Sequence, residues 1–311
     1  MDEEKRASTN VFITGATSPL GLAVMQALAA DGHKVTGMAE SKDGAAQIRA
    51  AGGLPVYSDP FSAGELKAMM KMTETHTVVH LANASTLPFR ADLDPARIRD
   101  SAVAITSAAE SSGAKYLIYL SYAFLYNENE SALVAANDNP LLKAALHADA
   151  TVQDANMPAC VLRTGYIYGA HMPDTMTLAT MVRAGRPVPT GDGHNYAHWV
   201  YFDDVVQAIR AAVNSKPIDA TYNIVDDAPA TPGEFLADFT SAMGLQPAVR
   251  VPGFITRALG GKITNTLMEL SAKVSNEPAK QELGWKPKYP THAKGIEHTL
   301  FIWRSEMIVK P

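Results

Sequence analysis

The stretch VFITGATSPLG, residues 11–21, runs from a short apolar segment straight into a glycine turn, and LAVMQALAADG follows it. Val11 to Thr14 read as a buried strand. Leu20, Val24 and Leu28 then recur every four residues, the spacing of one helix face, and Gly32 can end that helix. Strand, glycine turn and helix in this order make a βα unit. A glycine at the turn lets the backbone bend sharply, and a second lets the helix approach the strand. The helix N-terminus then offers free N–H groups and a positive dipole end to a pyrophosphate.

The same alternation continues outward. HKVTGM (33–38), LPVYSD (54–59), TVVHLAN (77–83) and AKYLIYLSY (114–122) read as strands. SKDGAAQIRAAG (41–52), ELKAMMK (65–71) and ARIRDSAVAITSAAESSG (96–113) read as the helices between them. Alternating elements of this kind predict a doubly wound parallel sheet with helices on both faces. Strands that are apolar along their whole length fit burial on both sides. PACVLRT (158–164) is expected to complete the sheet, and the polar residues 128–139 an exposed loop. From Gly165 onward proline and glycine become frequent and the elements short, which suits a small lobe. The expected organisation is a tail at 1–10, a nucleotide-binding domain mainly over 11–165, and a substrate lobe mainly over 166–311 with segments returning to the core.

The bulk numbers fit one large domain or two unequal lobes: 311 residues, 47% hydrophobic and 19% charged. The 27 Lys+Arg against 32 Asp+Glu leave a formal net charge of −5, which argues against a general attraction to nucleic acid or to an anionic membrane. Cys160 is the only cysteine, so no intrachain disulfide forms, and its apolar neighbours MPACVLR place it in a core strand. The charged start MDEEKRASTN has no apolar segment of a secretory signal, and no apolar run approaches the roughly 18 residues that span a bilayer. The expected location is the cytoplasm. His194 and His198 have the spacing of helical metal ligands, but the glycines around them indicate a loop, and no metal is expected. Asp203 and Asp204 are adjacent and would point apart as an acid/base pair. Asp204 is expected to cap the helix that follows.

TGATSPLG resembles the TGxxGxxG turn of the extended short-chain dehydrogenase/reductase proteins, also called the epimerase/dehydratase family. Further segments resemble this family in its order: VVHLAN (78–83), YLIYLSYAFLYN (116–127), VLRTGYIYG (161–169), HWVYFDDVVQAI (198–209), TYNIVDDAPATPGEF (221–235) and AKQELGWKPKYPTHAKGI (279–296). The likeness covers roughly residues 10 to 300. It implies a Rossmann-type α/β fold with a small C-terminal substrate lobe, and a bound nicotinamide dinucleotide. Thr14, Gly15, Thr17, Ser18, Pro19, Leu20 and Gly21 would then form the pyrophosphate turn, with Leu81, Ala82 and Asn83 covering the cofactor from the neighbouring strand. Ser18 departs from the pattern by replacing the middle glycine, and its hydroxyl could donate to a phosphate. Many relatives pair through two long helices, including the one at 96–113, so the resemblance implies a homodimer.

The residue that ends the second strand selects the cofactor. An acidic side chain accepts from a ribose 2′-OH, whereas a basic one pairs with a 2′-phosphate. By resemblance Ala39 takes the usual acidic position, and Glu40 the place where NADP-preferring relatives often carry arginine. A carboxylate there repels a 2′-phosphate, so NAD is expected, with Lys42 close enough to favour NADP instead. Asp59 resembles the aspartate that caps the adenine amine.

The family's chemistry needs a tyrosine and, one helical turn later, a lysine. The lysine lowers the phenol's pKa, and the tyrosine exchanges a proton with the substrate while hydride moves. Aligned on its neighbours, the motif falls on Pro140–Asp149, with Leu141 at the tyrosine position and Ala145 at the lysine position. Sliding by two residues makes Lys143 the lysine but Asn139 the tyrosine. No tyrosine lies between Asn127 and Gly165, and none of the 11 tyrosines has a lysine four residues on. The strand serine is changed too: its position is taken by Tyr122. Ser121, one place earlier, is expected on the opposite face by strand alternation. Substitutes on offer are Tyr122, Lys143 and His147, with Tyr122, Leu141, Tyr166 and Tyr168 lining a substrate pocket. Tyr122 would either donate to a substrate oxygen or fill the space left by Leu141 and Ala145. Two function classes follow: an NAD(P)-dependent enzyme acting on a small organic substrate with a rearranged acid/base set, or a non-catalytic nucleotide-binding sensor or subunit of a larger complex.

Overall fold

A computed structural model of the chain describes residues 8–81, 94–125, 139–190, 195–248, 250–251 and 270–309. At its centre are seven parallel strands: β1 (Asn10–Thr14), β2 (Lys34–Met38), β3 (Leu54–Val56), β4 (Thr77–His80), β5 (Tyr116–Tyr122), β6 (Ala159–Thr164) and β10 (Ala220–Ile224). Their order across the sheet is β10-β6-β5-β4-β1-β2-β3. The chain winds outward from β1 in one direction, then crosses back to β4 and winds in the other. The crevice at this reversal, outside the carboxyl ends of β1 and β4, is where doubly wound sheets hold ligands.

Alternation along the strands builds two cores. Val11 and Ile13 of β1 face one layer, with α1 (Pro19–Ala30), α2 (Lys42–Ala50) and α7 (Phe202–Ser215). Phe12 faces the other, with α3 (Ala63–Met72), α4 (Pro95–Ser112) and α5 (Pro140–Gln153). The helix starts follow local chemistry. Asp94 caps α4 ahead of Pro95, and Asn139 caps α5 ahead of Pro140 by accepting from the Leu141 and Leu142 N–H groups. Gly113 ends α4 in the left-handed conformation at φ 90°. The strand expected at 54–59 is three residues long, because β3 is the sheet edge and Tyr57 already lies exposed. The expected loop at 128–139 falls outside the described residues except for Asn139.

The rest of the chain forms β7 (Tyr166–Tyr168), α6 (Pro173–Arg183), β8 (Val188–Pro189), β9 (Trp199–Tyr201), α8 (Pro232–Ala242), β11 (Arg250–Val251), α9 (Glu277–Glu282) and α10 (His292–Val309). β7 pairs with β9, and β8 with β11. Asp204 does not cap α7, whose N-cap is Tyr201. Its carboxylate instead accepts from the Lys288 and Tyr289 N–H groups at 2.7 and 3.0 Å. It thereby ties the segment before α10 to the first turn of α7, where the helix dipole favours negative charge. Among the described residues no helix is long and apolar enough to cross a membrane.

α10 docks through a glycine. A Cβ at Gly295 would run into the ring and hydroxyl of Tyr168 and the ring of Tyr201. The Tyr168 hydroxyl is fixed there by donating to the His292 carbonyl at 3.1 Å. Gly295→Ala is therefore expected to destabilise the fold by about 2 kcal/mol through overpacking, read as a lower midpoint in urea unfolding. An unchanged midpoint would mean that the helix shifts freely.

Candidate active site

The glycine turn is built tightly. Gly15 adopts φ +67°, and a Cβ at Gly21 would strike the Gly15 carbonyl oxygen and the Ala16 backbone. The backbone of β1 and the start of α1 are thus as close as a pyrophosphate site needs, and the turn fits a dinucleotide. Ser18 is already engaged. Its hydroxyl donates to the Gly15 carbonyl at 2.7 Å and accepts from the Gly21 N–H at 3.0 Å, which makes it the N-cap of α1. A hydroxyl has one proton, and in this arrangement that of Ser18 is directed to the Gly15 carbonyl; donation to a phosphate would have to replace that bond. Pro19 has no N–H. Leu20 keeps its N–H without an acceptor inside the helix.

Beneath the turn, Thr14 Oγ1 is hydrogen-bonded to His80 Nδ1 at 2.8 Å, and His80 Nε2 lies 3.4 Å from Ser101 Oγ. The ring stacks on Tyr119 at 5.3 Å. Burial pushes His80 down to about 3, so it stands neutral between β1 and β4. Leu81 is buried and its N–H donates to the Thr14 carbonyl at 3.3 Å. Ala82 and Asn83 lie outside the described residues. At the other end of the crevice, Glu40 is exposed in the short link between β2 and Ser41, the N-cap of α2. Asp59 is exposed past β3, and one of its carboxylate oxygens accepts from the Phe61 N–H at 2.9 Å. Thr17 packs against Gly44, where a Cβ would meet its methyl group.

A buried ion pair, which the sequence reading passed over, fixes the register of α5. Asp149 is 2% exposed and accepts from Arg163 Nε of β6 at 2.8 Å and from the Ser121 hydroxyl of β5. Burial pushes the Asp149 carboxyl up, against the pull of Arg163 and Ser121. Ala145 and Leu141 stand one and two turns before Asp149 on this inward face. Both are sealed, at 1% and 0% exposed. Lys143 and His147 lie one turn apart on the exposed face of the same helix. The structure does not bring them together with Tyr122.

Tyr122 is 1% exposed and belongs to the same core as Leu141 and Ala145. Its ring stacks on Phe124 at 4.8 Å, and its hydroxyl has no hydrogen-bond partner among the described residues. The expected opposition of Ser121 and Tyr122 does not hold. Both reach the α5 layer, because a 3-10 turn at Ala123–Leu125 begins directly after Tyr122 and breaks the alternation at the strand's last residue. Burial pushes the Tyr122 phenol well up, and the neighbouring Tyr119 and Asp149 push the same way. A group so placed holds its proton.

Past the ends of β5 and β6 lies a cavity of about 20 Å³ lined by Ala123, Phe124, Tyr166, Tyr196, His198 and Leu270, among others. Tyr166 thus borders it, while Tyr168 is packed away against α8 and α10. His198 is buried. Its Nε2 accepts from the Val274 N–H at 2.7 Å, and burial pushes it down to about 4 against a weaker opposite effect of the Ala272 carbonyl. Its partner in the expected histidine spacing, His194, lies outside the described residues.

A sequence model of the NAD dependent epimerase/dehydratase family matches residues 11–224. The chain is 26% identical over 305 residues to a 3-diazoavenalumate denitrifying reductase from a Streptomyces species, covering 92% of this chain and 98% of that protein. It is 24% identical over 270 residues to the human epimerase family protein SDR39U1, covering 81% and 86%. Its backbone superposes on a Streptomyces venezuelae dTDP-glucose 4,6-dehydratase, solved with NAD and TYD bound, with a TM-score of 0.77 at 18% identity, covering 96% and 98%. On a Thermotoga maritima UDP-glucose 4-epimerase, solved with UDP-glucose, the TM-score is 0.76 at 19% identity, covering 96% and 99%. At these identities the structural likeness shows the fold.

Removing one partner of a buried ion pair leaves the other charge unpaired. Asp149→Ala is expected to cost about 3–5 kcal/mol in denaturant unfolding, and a double variant with Arg163→Met to recover most of that loss. If the double variant were as unstable as the single one, the pair would not be what holds α5 in register.

Proposed function

Because the chain belongs to the NAD-dependent epimerase/dehydratase family, we propose that it binds a nicotinamide dinucleotide and serves hydride transfer with a small organic substrate, without a tyrosine–lysine proton relay. The observation that carries this reading is the register set by Asp149, which leaves Leu141 and Ala145 sealed at the two relay positions. Gly15, Leu20 and Gly21 would hold the pyrophosphate, Asp59 the adenine and Glu40 the adenosine ribose. The exposed Glu40 carboxylate supports NAD over NADP, since it repels a 2′-phosphate.

When bound, the nicotinamide supplies or accepts hydride. The chain's own residues limit which substrates suit that exchange. A carbonyl that is reduced also needs a proton at oxygen. Tyr122 can donate a hydrogen bond, but no cation among the described residues acts on its phenol to ease the proton off, and Asp149 acts against release. A substrate whose reacting atom is electron-poor nitrogen makes no such demand. Hydride addition to the terminal nitrogen of an aryl diazonium would give an aryl diazene, whose carbon–nitrogen bond then breaks to release dinitrogen, the hydrogen ending on the ring carbon. The Streptomyces relative named as a denitrifying reductase of a diazo compound supports this class of acceptor. A second reading, a nucleotide-binding protein without turnover, is favoured by the sealing of Leu141, Ala145 and Tyr122 in one apolar core.

Two measurements separate these readings. Consumption of reduced nicotinamide, followed by absorbance, is expected with aryl diazonium substrates and not with simple ketones. Tyr122→Phe is expected to leave that rate within about threefold. It should also raise the melting temperature by a few degrees, because it removes a buried hydroxyl that has no partner. Absence of turnover over both substrate sets, with cofactor bound, would establish the non-catalytic reading. A hundredfold loss in Tyr122→Phe would make this phenol the missing acid. Separately, Glu40→Ala is expected to tighten NADP binding about tenfold while leaving NAD nearly unchanged, measured by calorimetry.

A further inference from the structure

The cavity at the carboxyl ends of β5 and β6 has an aromatic wall. Phe124 stands 6.1 Å from Tyr166 at an interplanar angle of 24°, and Tyr166 stands 5.7 Å from Trp199. Trp199 is stacked on Phe235 at 3.9 Å, which backs the wall with a rigid pair. No aspartate, glutamate, lysine or arginine is among the described residues that line it. A nucleoside diphosphate needs cationic side chains against its phosphates. This lining supplies none.

Two polar groups mark the ends of the cavity. His198 lines the cavity and is 5% exposed, and because its Nε2 accepts from the Val274 N–H, the neutral ring carries its proton on Nδ1. That nitrogen has no partner in hydrogen-bond geometry among the described residues, the Ala272 carbonyl acting on the ring only weakly. A buried donor without an acceptor is costly unless a ligand supplies one. At the outer end, Tyr196 is 36% exposed, and Lys273 Nζ lies 3.7 Å from the centroid of its ring. Lys273 is exposed and makes no ion pair with any described carboxylate.

We propose that this cavity is the seat of a planar aromatic substrate that carries an acceptor oxygen at one end and an anionic group at the other. The ring lies against Tyr166 and Phe124, the oxygen accepts from His198 Nδ1–H, and the anion pairs with Lys273 at the mouth. This rests on the reading of the cleft as the substrate side of the dinucleotide site. The cavity as it stands holds about 20 Å³, room for one water. Tyr196 must therefore swing out for a ring to enter. An anion that draws Lys273 from the face of Tyr196 removes the cation–π contact that holds that ring in place.

The test is binding without cofactor, by calorimetry, of 4-hydroxybenzoate, benzoate, phenol and UDP-glucose. 4-Hydroxybenzoate carries both end groups, benzoate lacks the inner oxygen, and phenol lacks the anion. The first is expected to bind about tenfold tighter than either of the next two, and UDP-glucose to bind more weakly than all three. Lys273→Ala should erase the advantage over phenol, and His198→Phe the advantage over benzoate. Lys273 is exposed, so its variant keeps the fold even if the His198 variant does not. The proposal is overturned if UDP-glucose is the tightest ligand, if no aromatic probe binds, or if Lys273→Ala weakens phenol as much as 4-hydroxybenzoate. No turnover enters this readout. Failure here with NAD binding intact would reject the substrate class alone, whereas aromatic binding without NAD binding would reject the cofactor reading.

Discussion

The pairing of Asp149 with Arg163, completed by the Ser121 hydroxyl, is the constraint on which the geometry of the site depends. It joins α5 to β6 and β5 in one buried contact. Taking both charges out of water is expensive, and the pair survives only where each partner is well satisfied. That requirement leaves α5 little freedom to rotate or slide. Side chains one and two turns before Asp149 must then face the ends of β5 and β6, whatever their identity. The same contact holds the end of β5, where Tyr122 leaves the strand's alternation and turns into the α5 layer.

This constraint couples the residues at positions 141 and 145. With a lysine at position 145, a second buried cation would stand one turn from Asp149, already matched to Arg163. It would need a phenolate or a cofactor hydroxyl to justify its desolvation. A tyrosine at 141 without that lysine would keep its proton, as Tyr122 does. Leu141 and Ala145 therefore form a consistent apolar set, and the wide ring of Tyr122 packs beside them where the strand would otherwise carry a serine. On the proposed reading such a site is held together by packing. Tyr122 would offer it a hydrogen-bond donor whose proton burial holds in place.

The fold was legible because it rests on patterns with short range. The glycine turn, the four-residue repeat of Leu20, Val24 and Leu28, and the apolar strands each follow from neighbours in sequence. The absence of a tyrosine from 127 to 165 likewise requires no structure to see. What stayed hidden depends on contacts across the fold. Asp149 and Arg163 are 14 residues apart on different elements; the only hint was an acid at the end of an apolar helix face and an arginine inside an apolar strand. Asp204 was read as a cap because local rules say so, yet a segment more than eighty residues away claims its carboxylate. His198 looked like half of a metal motif, while its surroundings make it a neutral donor beside a cavity.

The glycine turn at residues 14–21 shows the same dependence on side-chain contacts. A family glycine at position 18 would leave the first N–H groups of α1 open to an anion. Ser18 closes part of that opening with its own side chain: Gly21 N–H is taken, Pro19 has no N–H to give, and Leu20 remains. The helix dipole still points at the crevice and still favours a pyrophosphate. But a pyrophosphate there would have to compete with an internal cap instead of meeting free donors, so less of its binding energy would come from the phosphates. In the proposed complex more would come from the two ends, from Glu40 and Asp59 around the adenosine and from the aromatic side of the cleft around the nicotinamide. On the proposed reading, specificity for a dinucleotide would be carried by side chains at the rim of the sheet, and the backbone turn would mainly set where they meet it.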